Sequence, residues 1–212
     1  MRPVRLLRGF AARNDIICCL DLEGVLVPEI WIQVAEKTRI KELRLTTREV
    51  PDYDALMRRR LKILKQHRIK LRDIQAVIAK INPLPNAKKF LDGLRRRDQT
   101  VILSDTYYEF AMPLMRKLDQ PAIFCNWLKT DAKNYITDYI LRQKNGKEEA
   151  VRGLKKIGFR VHAAGDSYND IAMLKAADRG IWFNPPENIV KEFPKFKVAK
   201  NYDELLLSLR GA

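Results

Sequence analysis

Four polar residues stand where runs of hydrophobes stop. Asp21 and Glu23 follow "IICCL" at 16–20, Ser104 closes "VILS" at 101–104, and Asp166 follows "VHAAG" at 161–165. Continuous apolar runs without alternation suit strands covered on both faces. In open α/β sheets, ligands collect in the crevice beyond the carboxyl ends of such strands, so these four residues are expected on one rim. Two carboxylates from separate strands would repel there and raise each other's pKa unless a cation lay between them. Donors that are all oxygen suit Mg²⁺. The chemistry on offer is a metal, a hydroxyl and a free carboxylate acting as nucleophile or base.

The segment "GDSYND" at 165–170 adds to this rim. Gly165 is expected to permit a sharp turn and Ser167 to start a helix whose first turn carries Asn169 and Asp170. An acid at a helix N-terminus is favoured by the dipole, so Asp170 reads equally as a cap and nothing more.

The elements that must hold these residues can be placed from the remaining pattern. Further short apolar runs, "AIFC" at 122–125 and "GIWF" at 180–183, alternate with "YYEFAMPLMRKLD" and "SYNDIAMLKAAD", each long enough for a crossover helix. The fold class is α/β, a Rossmann-like, mostly parallel sheet with helices on both faces. One interval breaks the rhythm. Residues 29–85 hold "IWIQVAEKT", "PDYDALMRRRLKILKQHR" and "LRDIQAVIAKI", all with helical spacing, which is too long and too helical for a connection. The expected organisation is a core of residues 15–28 and 86–212, an inserted helical cap over 29–85, and a basic N-terminal arm over 1–14. Alternation around Tyr135–Leu141 suggests a small hairpin.

Composition narrows the classes. With 212 residues, 46% hydrophobic and 32% charged, the chain suits one domain with an insert rather than a disordered or membrane protein. No apolar run reaches the roughly 20 residues of a bilayer span. The first fourteen residues carry Arg2, Arg5, Arg8 and Arg13 and no acid. That resembles a transit peptide in composition, but an upstream start or a loose basic arm in a cytoplasmic protein is the reading adopted. Cys18, Cys19 and Cys125 are an odd count, two of them inside an apolar run, and read as buried hydrophobes in a reducing compartment. The net charge of +15 favours anionic partners in general. It motivates a competing reading, a nucleic-acid-binding protein on an α/β scaffold. The basic residues are scattered, however, and no aromatic-interleaved motif accompanies "MRRR" or "LRRR", so nucleic acid is not the expected partner.

In order and spacing, "DLEGVL", "ILSDT", a lysine in "KNGKEE" and "GDSYND" resemble the four motifs of the haloacid dehalogenase superfamily, over nearly the whole chain from Asp15. More narrowly, "DLEGVLVPEIW", "PDYDALMRRRLKIL", "ILSDTYYEF", "LRQK" and "AAGDSYND" are similar to its phosphoserine phosphatase-like branch, in the bifunctional form that is also a homoserine phosphotransferase. Glu23 stands where most phosphatases of the superfamily have Asp; the narrower branch also has Glu.

The resemblance implies phosphoryl transfer through an aspartyl-phosphate, with a small phosphorylated amino acid as substrate and Mg²⁺ as cofactor. Asp21 would be the nucleophile, and the metal would be held by Asp21, the Glu23 backbone carbonyl and Asp166. Glu23 would serve as general acid and base, and Gly24 would let the backbone approach the phosphate. Ser104 and the amides of Asp105 and Thr106 would bind phosphoryl oxygens. Lys147, or three residues earlier Lys144, would neutralise their charge.

Substrate reading is expected from the cap. On a helix from Asp54, Leu56, Arg60, Ile63 and Leu64 share one face. Arg60 either snorkels to solvent or binds a carboxylate, and its match to the substrate arginine of the branch favours the second. Glu29 would accept an ammonium, with Asn169 as a further polar contact. Elsewhere, His67 reads as a solvated helix residue, His162 as a core or rim residue, and Trp31, Trp127 and Trp182 as packing. Hydrolysis and transfer to homoserine both stay open, as does the oligomeric state.

Overall fold

The computed structural model describes residues 15–46, 49–50 and 52–210; the basic arm expected over 1–14 lies outside them. Seven strands form one sheet: β1 (Ile16–Leu20), β2 (Gln99–Tyr107), β3 (Ala122–Thr130), β4 (Ile136–Ile140), β5 (Arg160–Gly165), β6 (Arg179–Phe183) and β7 (Lys197–Ala199). Their order is β4-β3-β2-β1-β5-β6-β7. Every neighbouring pair is parallel except β3 with β4.

Central β1 explains why the sequence shows no alternation. Its side chains point alternately to two faces, and both faces are covered. Ile16, Cys18 and Leu20 enter one buried cluster, while Ile17 and Cys19 enter the other. Ile102 and Ala164 follow the first group; Val101, Leu103, Val161 and Ala163 follow the second. All three cysteines are buried and unpaired.

Between β1 and β2 lie α1 (Ile30–Thr38), a 3₁₀ turn (Lys41–Arg44), α2 (Tyr53–Gln66), α3 (Leu71–Ile78) and α4 (Ala87–Arg95). The Asp52 carboxylate caps α2 by accepting from the Ala55 amide at 3.0 Å. Trp31, Val34, Met57, Leu61 and Ile74 from these helices share the buried cluster that contains Leu20. Helix α5 (Tyr108–Lys117) links β2 to β3, and α6 (Gly146–Lys156) precedes β5. Helix α7 (Ile171–Ala176) follows β5, and α8 (Glu187–Glu192) and α9 (Tyr202–Arg210) complete the described chain.

The hairpin is β3–β4, with Trp127 opposite Ile140 and Leu128 opposite Tyr139. Its turn is fixed by Asp131, whose carboxylate accepts from the amides of Lys133 and Tyr135 at 2.9 Å each. Trp127 corrects an expectation: it is 41% exposed on this hairpin rather than packed. Trp182 is fully buried, His162 is buried with Nδ1 against the Leu209 carbonyl, and His67 follows α2 on the exposed surface. Among the described residues, no helix is long and apolar enough to cross a membrane.

Candidate active site

The sheet's central strands deliver their terminal carboxylates to one point. Asp21 continues β1 with its amide on the Ala164 carbonyl at 2.9 Å, and its own Oδ1 accepts from the Leu22 amide at 2.8 Å. Asp166 leaves neighbouring β5, and its amide donates to Asp170 Oδ2 at 2.9 Å. Ligand oxygens of Asp21, Asp166 and Asp170 all lie within 4.8 Å of one another.

Two glycines make that approach possible, in a way the sequence did not reveal. A Cβ on Gly24 would lie 2.3 Å from Asp166 Cγ, and one on Gly165 would lie 2.3 Å from Asp170 Cγ. Gly24 also has φ +79°, a left-handed conformation that a side chain disfavours. The space beside Gly24 is therefore taken by the Asp166 carboxylate, which is a second demand on the glycine. Gly165 has no left-handed backbone and ends a regular strand just before the chain bends at Asp166 and Ser167; what its missing side chain supplies is clearance for Asp170.

Lys147 enters this group from the other side. Asn145 in the left-handed region (φ 53°) starts α6, and Lys147 in its first turn points inward. Its Nζ is 2.9 Å from Asp21 Oδ1, 2.8 Å from Asp170 Oδ1 and 3.3 Å from Asp105 Oδ2. Lys147 is 5% exposed and Asp170 fully buried. Burial works against the lysine's charge, but Asp170, Asp21 and Asp105 outweigh it and hold its pKa well above the usual value. Lys144 is exposed on the cavity rim.

Charge is not balanced here. Four carboxylates, those of Asp21, Asp105, Asp166 and Asp170, face one ammonium, and Asp170 is already engaged by Lys147 and by the amides of Asp166 and Ser167. Burial, then Asp170, push Asp21 well above the ordinary carboxylate range, against the pull of Lys147. Burial and Asp170 likewise lift Asp166 to about 7. Such a set holds a proton unless a cation replaces it, and its donors are hard oxygens of the kind Mg²⁺ takes.

Beside the carboxylates, β2 departs from its ladder with β3. Leu103 pairs with Phe124 and Tyr107 with Asn126, so Ser104, Asp105 and Thr106 stand opposite Cys125 alone. This bulge presents the buried Ser104, whose Oγ accepts from the Thr106 amide at 3.2 Å. The Asp105 side chain is exposed and receives Asn169 Nδ2 at 3.2 Å. Asn169 Oδ1 in turn accepts from the Ser167 hydroxyl.

Helices α1 and α2 supply the opposite wall of a cavity of about 1120 Å³ lined by Asp21, Ser104, Lys147, Asp166 and Asn169 together with Glu23, Glu29 and Arg60. Glu23 directs its Oε2 to the Ile30 amide at 2.7 Å, at the start of α1. Burial, then the nearby Glu29, raise its pKa to about 8. Arg60 is 6% exposed, so it does not snorkel to solvent. Its guanidinium lies 4.5 Å over the Trp31 ring and donates to the Leu45 carbonyl at 2.7 Å, while its buried Nε has no hydrogen-bond partner among the described residues. Glu29 is exposed, precedes α1 without capping it, and lines the cavity.

Asp21, Glu23, Glu29, Arg60, Ser104, Asp105, Lys147, Asp166 and Asn169, the site residues expected from the sequence, thus line one cavity. Two neighbours were missed. Asp170 read as a cap, which it also is, because it binds the Ser167 amide at 3.2 Å. Asn126 sits in a strand and gave no signal of its own.

Comparison with known proteins agrees with this geometry. The family model described as haloacid dehalogenase-like hydrolase matches residues 17–178. A "Phosphoserine phosphatase" of Pseudomonas syringae pv. tomato is 56% identical over 189 residues, covering 89% of this chain and 80% of the relative. "Phosphoserine phosphatase ThrH" of Pseudomonas aeruginosa is 54% identical over 189 residues, covering 89% and 92%. A solved structure, "Phospho-Aspartyl Intermediate Analogue of Phosphoserine phosphatase", superposes with TM-score 0.73 over 90% of this chain and 96% of that one; at 21% identity the likeness is one of fold.

Proposed function

This chain belongs to the haloacid dehalogenase-like hydrolase family, and from that premise we propose that it hydrolyses phosphoserine through a phosphorylated Asp21. The observation that carries the proposal is the pairing of two recognition elements in one cavity. Asp21, held by Lys147 beside Ser104, can take a phosphoryl group, and the buried Arg60 across the cavity, with an Nε unpartnered among the described residues, can take a carboxylate.

Asp21 would attack phosphorus, forming an acyl-phosphate bond as the bond to the serine oxygen breaks. Glu23, held protonated by its surroundings, gives its proton to the leaving oxygen and later takes one from the attacking water. Water then breaks the acyl-phosphate, releasing phosphate and restoring Asp21. Lys147, the Ser104 hydroxyl and the amides of Asp105 and Thr106 stabilise the charge on the transferring oxygens. Arg60 and Glu29 orient the amino acid by its carboxylate and ammonium, with Asn169 on the rim.

Asp21, Asp166 and the Glu23 backbone carbonyl would hold Mg²⁺, with Asp170 beside them. The ion supplies positive charge that lets an anionic nucleophile meet an anionic phosphate. The helical wall formed by residues 29–85 acts as a cap that limits access of water. We place the enzyme in the cytoplasm, where its three buried thiols stay reduced.

Purified protein with Mg²⁺, assayed for phosphate release against phosphorylated amino acids, tests this reading. Phosphoserine should lead the panel, and adding homoserine reports whether an alcohol competes with water. A flat response across the panel contradicts the assignment.

A further inference from the structure

Asn126 lies in β3, is buried, and uses both ends of its amide. Nδ2 donates to the Asp105 carbonyl at 2.9 Å, and Oδ1 accepts from the Arg142 amide at 2.9 Å. The first bond falls in the bulge where Ser104, Asp105 and Thr106 lack regular ladder partners in β3. The second falls at the start of the loop that leads through Asn145 to Lys147.

A trans peptide plane points its carbonyl and the next residue's N–H in opposite directions. Fixing the Asp105 carbonyl on Asn126 therefore turns the Thr106 N–H the other way, toward Ser104 Oγ, 3.2 Å distant. The Tyr53 hydroxyl also reaches the Asp105 carbonyl, at a longer 3.4 Å. One buried side chain thus sets the direction of a backbone donor and ties down the loop that carries Lys147.

We propose that Asn126 is a positioning residue for phosphoryl transfer: it aims the Thr106 amide and holds the 142–146 loop so that both meet the transferring phosphate. The inference rests on the assignment of that cavity to phosphoryl groups, but not on phosphoserine as substrate. Small misplacements of such donors cost on the order of a hundredfold in rate.

The test uses full-length Asn126→Ala and Asn126→Asp. The aspartate is isosteric, keeps an acceptor for the Arg142 amide and removes the donor to Asp105; it decides the matter should the alanine variant not fold. Kinetics are measured with phosphoserine and with p-nitrophenyl phosphate, and thermal shifts with Mg²⁺ alone and with Mg²⁺ plus beryllium fluoride, a mimic of the phosphoryl group. The expected result is a fall of about 10- to 100-fold in kcat/KM on both substrates, mostly in kcat. The shift with Mg²⁺ alone should persist, and the added shift with beryllium fluoride should be lost. Wild-type kcat/KM on both substrates with an intact beryllium fluoride shift overturns the proposal, as does a loss confined to KM for phosphoserine. Wild-type protein that turns over p-nitrophenyl phosphate but not phosphoserine contradicts the substrate assignment and leaves the Asn126 comparison intact. Should neither ester turn over, the beryllium fluoride shift decides alone.

Discussion

Oε2 of Glu23 accepts a 2.7 Å hydrogen bond from the amide of Ile30. The acid two residues from Asp21 is thereby fastened to the first turn of α1, and burial, then Glu29, raise its proton affinity against the pull of the Ile30 amide. With a pKa of about 8, Glu23 carries its proton at neutral pH and loses it as pH rises further. Formation of the phosphorylated enzyme from phosphoserine should fall above about pH 8 as Glu23 loses its proton, and should fall again at acid pH as protons take Asp21 and Asp166 from the metal. Glu23→Gln should abolish the alkaline limb and slow the step by about 10²- to 10⁴-fold. The effect should be much smaller for p-nitrophenyl phosphate, whose leaving group needs no proton. Rapid-quench measurement across pH tests this.

The carboxylate group predicts an unusual link between pH and metal. Asp21 and Asp166 have folded pKa values raised above their unfolded ones, so the metal-free folded state binds more protons than the unfolded chain. The slope of stability with pH is then negative across roughly pH 4 to 7 from these groups. Mg²⁺ competes with those protons, so the rise in Tm on adding Mg²⁺ should be small at pH 5 and larger at pH 8. A rise of equal size at both values contradicts the account.

Clearance at the two glycines can be tested by adding one methyl group. Gly24→Ala would put a Cβ 2.3 Å from Asp166 Cγ at a left-handed backbone position, and Gly165→Ala would displace Asp170. Each should cost about 1–3 kcal/mol and lose most of the phosphatase activity, Gly24→Ala with loss of the Mg²⁺ shift in Tm. Gly153→Ala serves as a control, because it is exposed inside α6 with nothing within 4 Å of its Cβ. It should stabilise by about 0.5–1 kcal/mol.

How far the sequence revealed this site depended on whether a residue's signal was local. The strand ends could be read because buried runs stop at polar residues, and Arg60 because helical period placed it among hydrophobes. Lys147 and Lys144 could not be told apart by spacing, since the choice depends on the left-handed Asn145 that sets where α6 begins. Asp170 was hidden by its genuine second role as a cap. Asn126 depends on a bulge in a neighbouring strand, and β7, with three residues, is too short to show a period. Trp127 misled because a large aromatic suggests a core, whereas here it lies on the exposed hairpin.

Arg60 should govern substrate choice and leave the chemistry alone. Arg60→Ala is expected to raise KM for phosphoserine at least tenfold, the usual cost of a lost charged hydrogen bond being about 1.5–3 kcal/mol. KM for a phosphate ester without a carboxylate should change little. Parallel kinetics on the two esters decide this, and equal losses on both remove Arg60 from substrate recognition.

Phosphorylation of Asp21 is the claim on which the mechanism turns. Quenching the enzyme in acid during turnover of ³²P-labelled phosphoserine with Mg²⁺, followed by peptide mapping, measures it directly. The account predicts label on the peptide containing Asp21, sensitive to hydroxylamine and absent from a folded Asp21→Asn variant that releases no phosphate. Normal phosphate release by Asp21→Asn, or label confined to another residue, contradicts it.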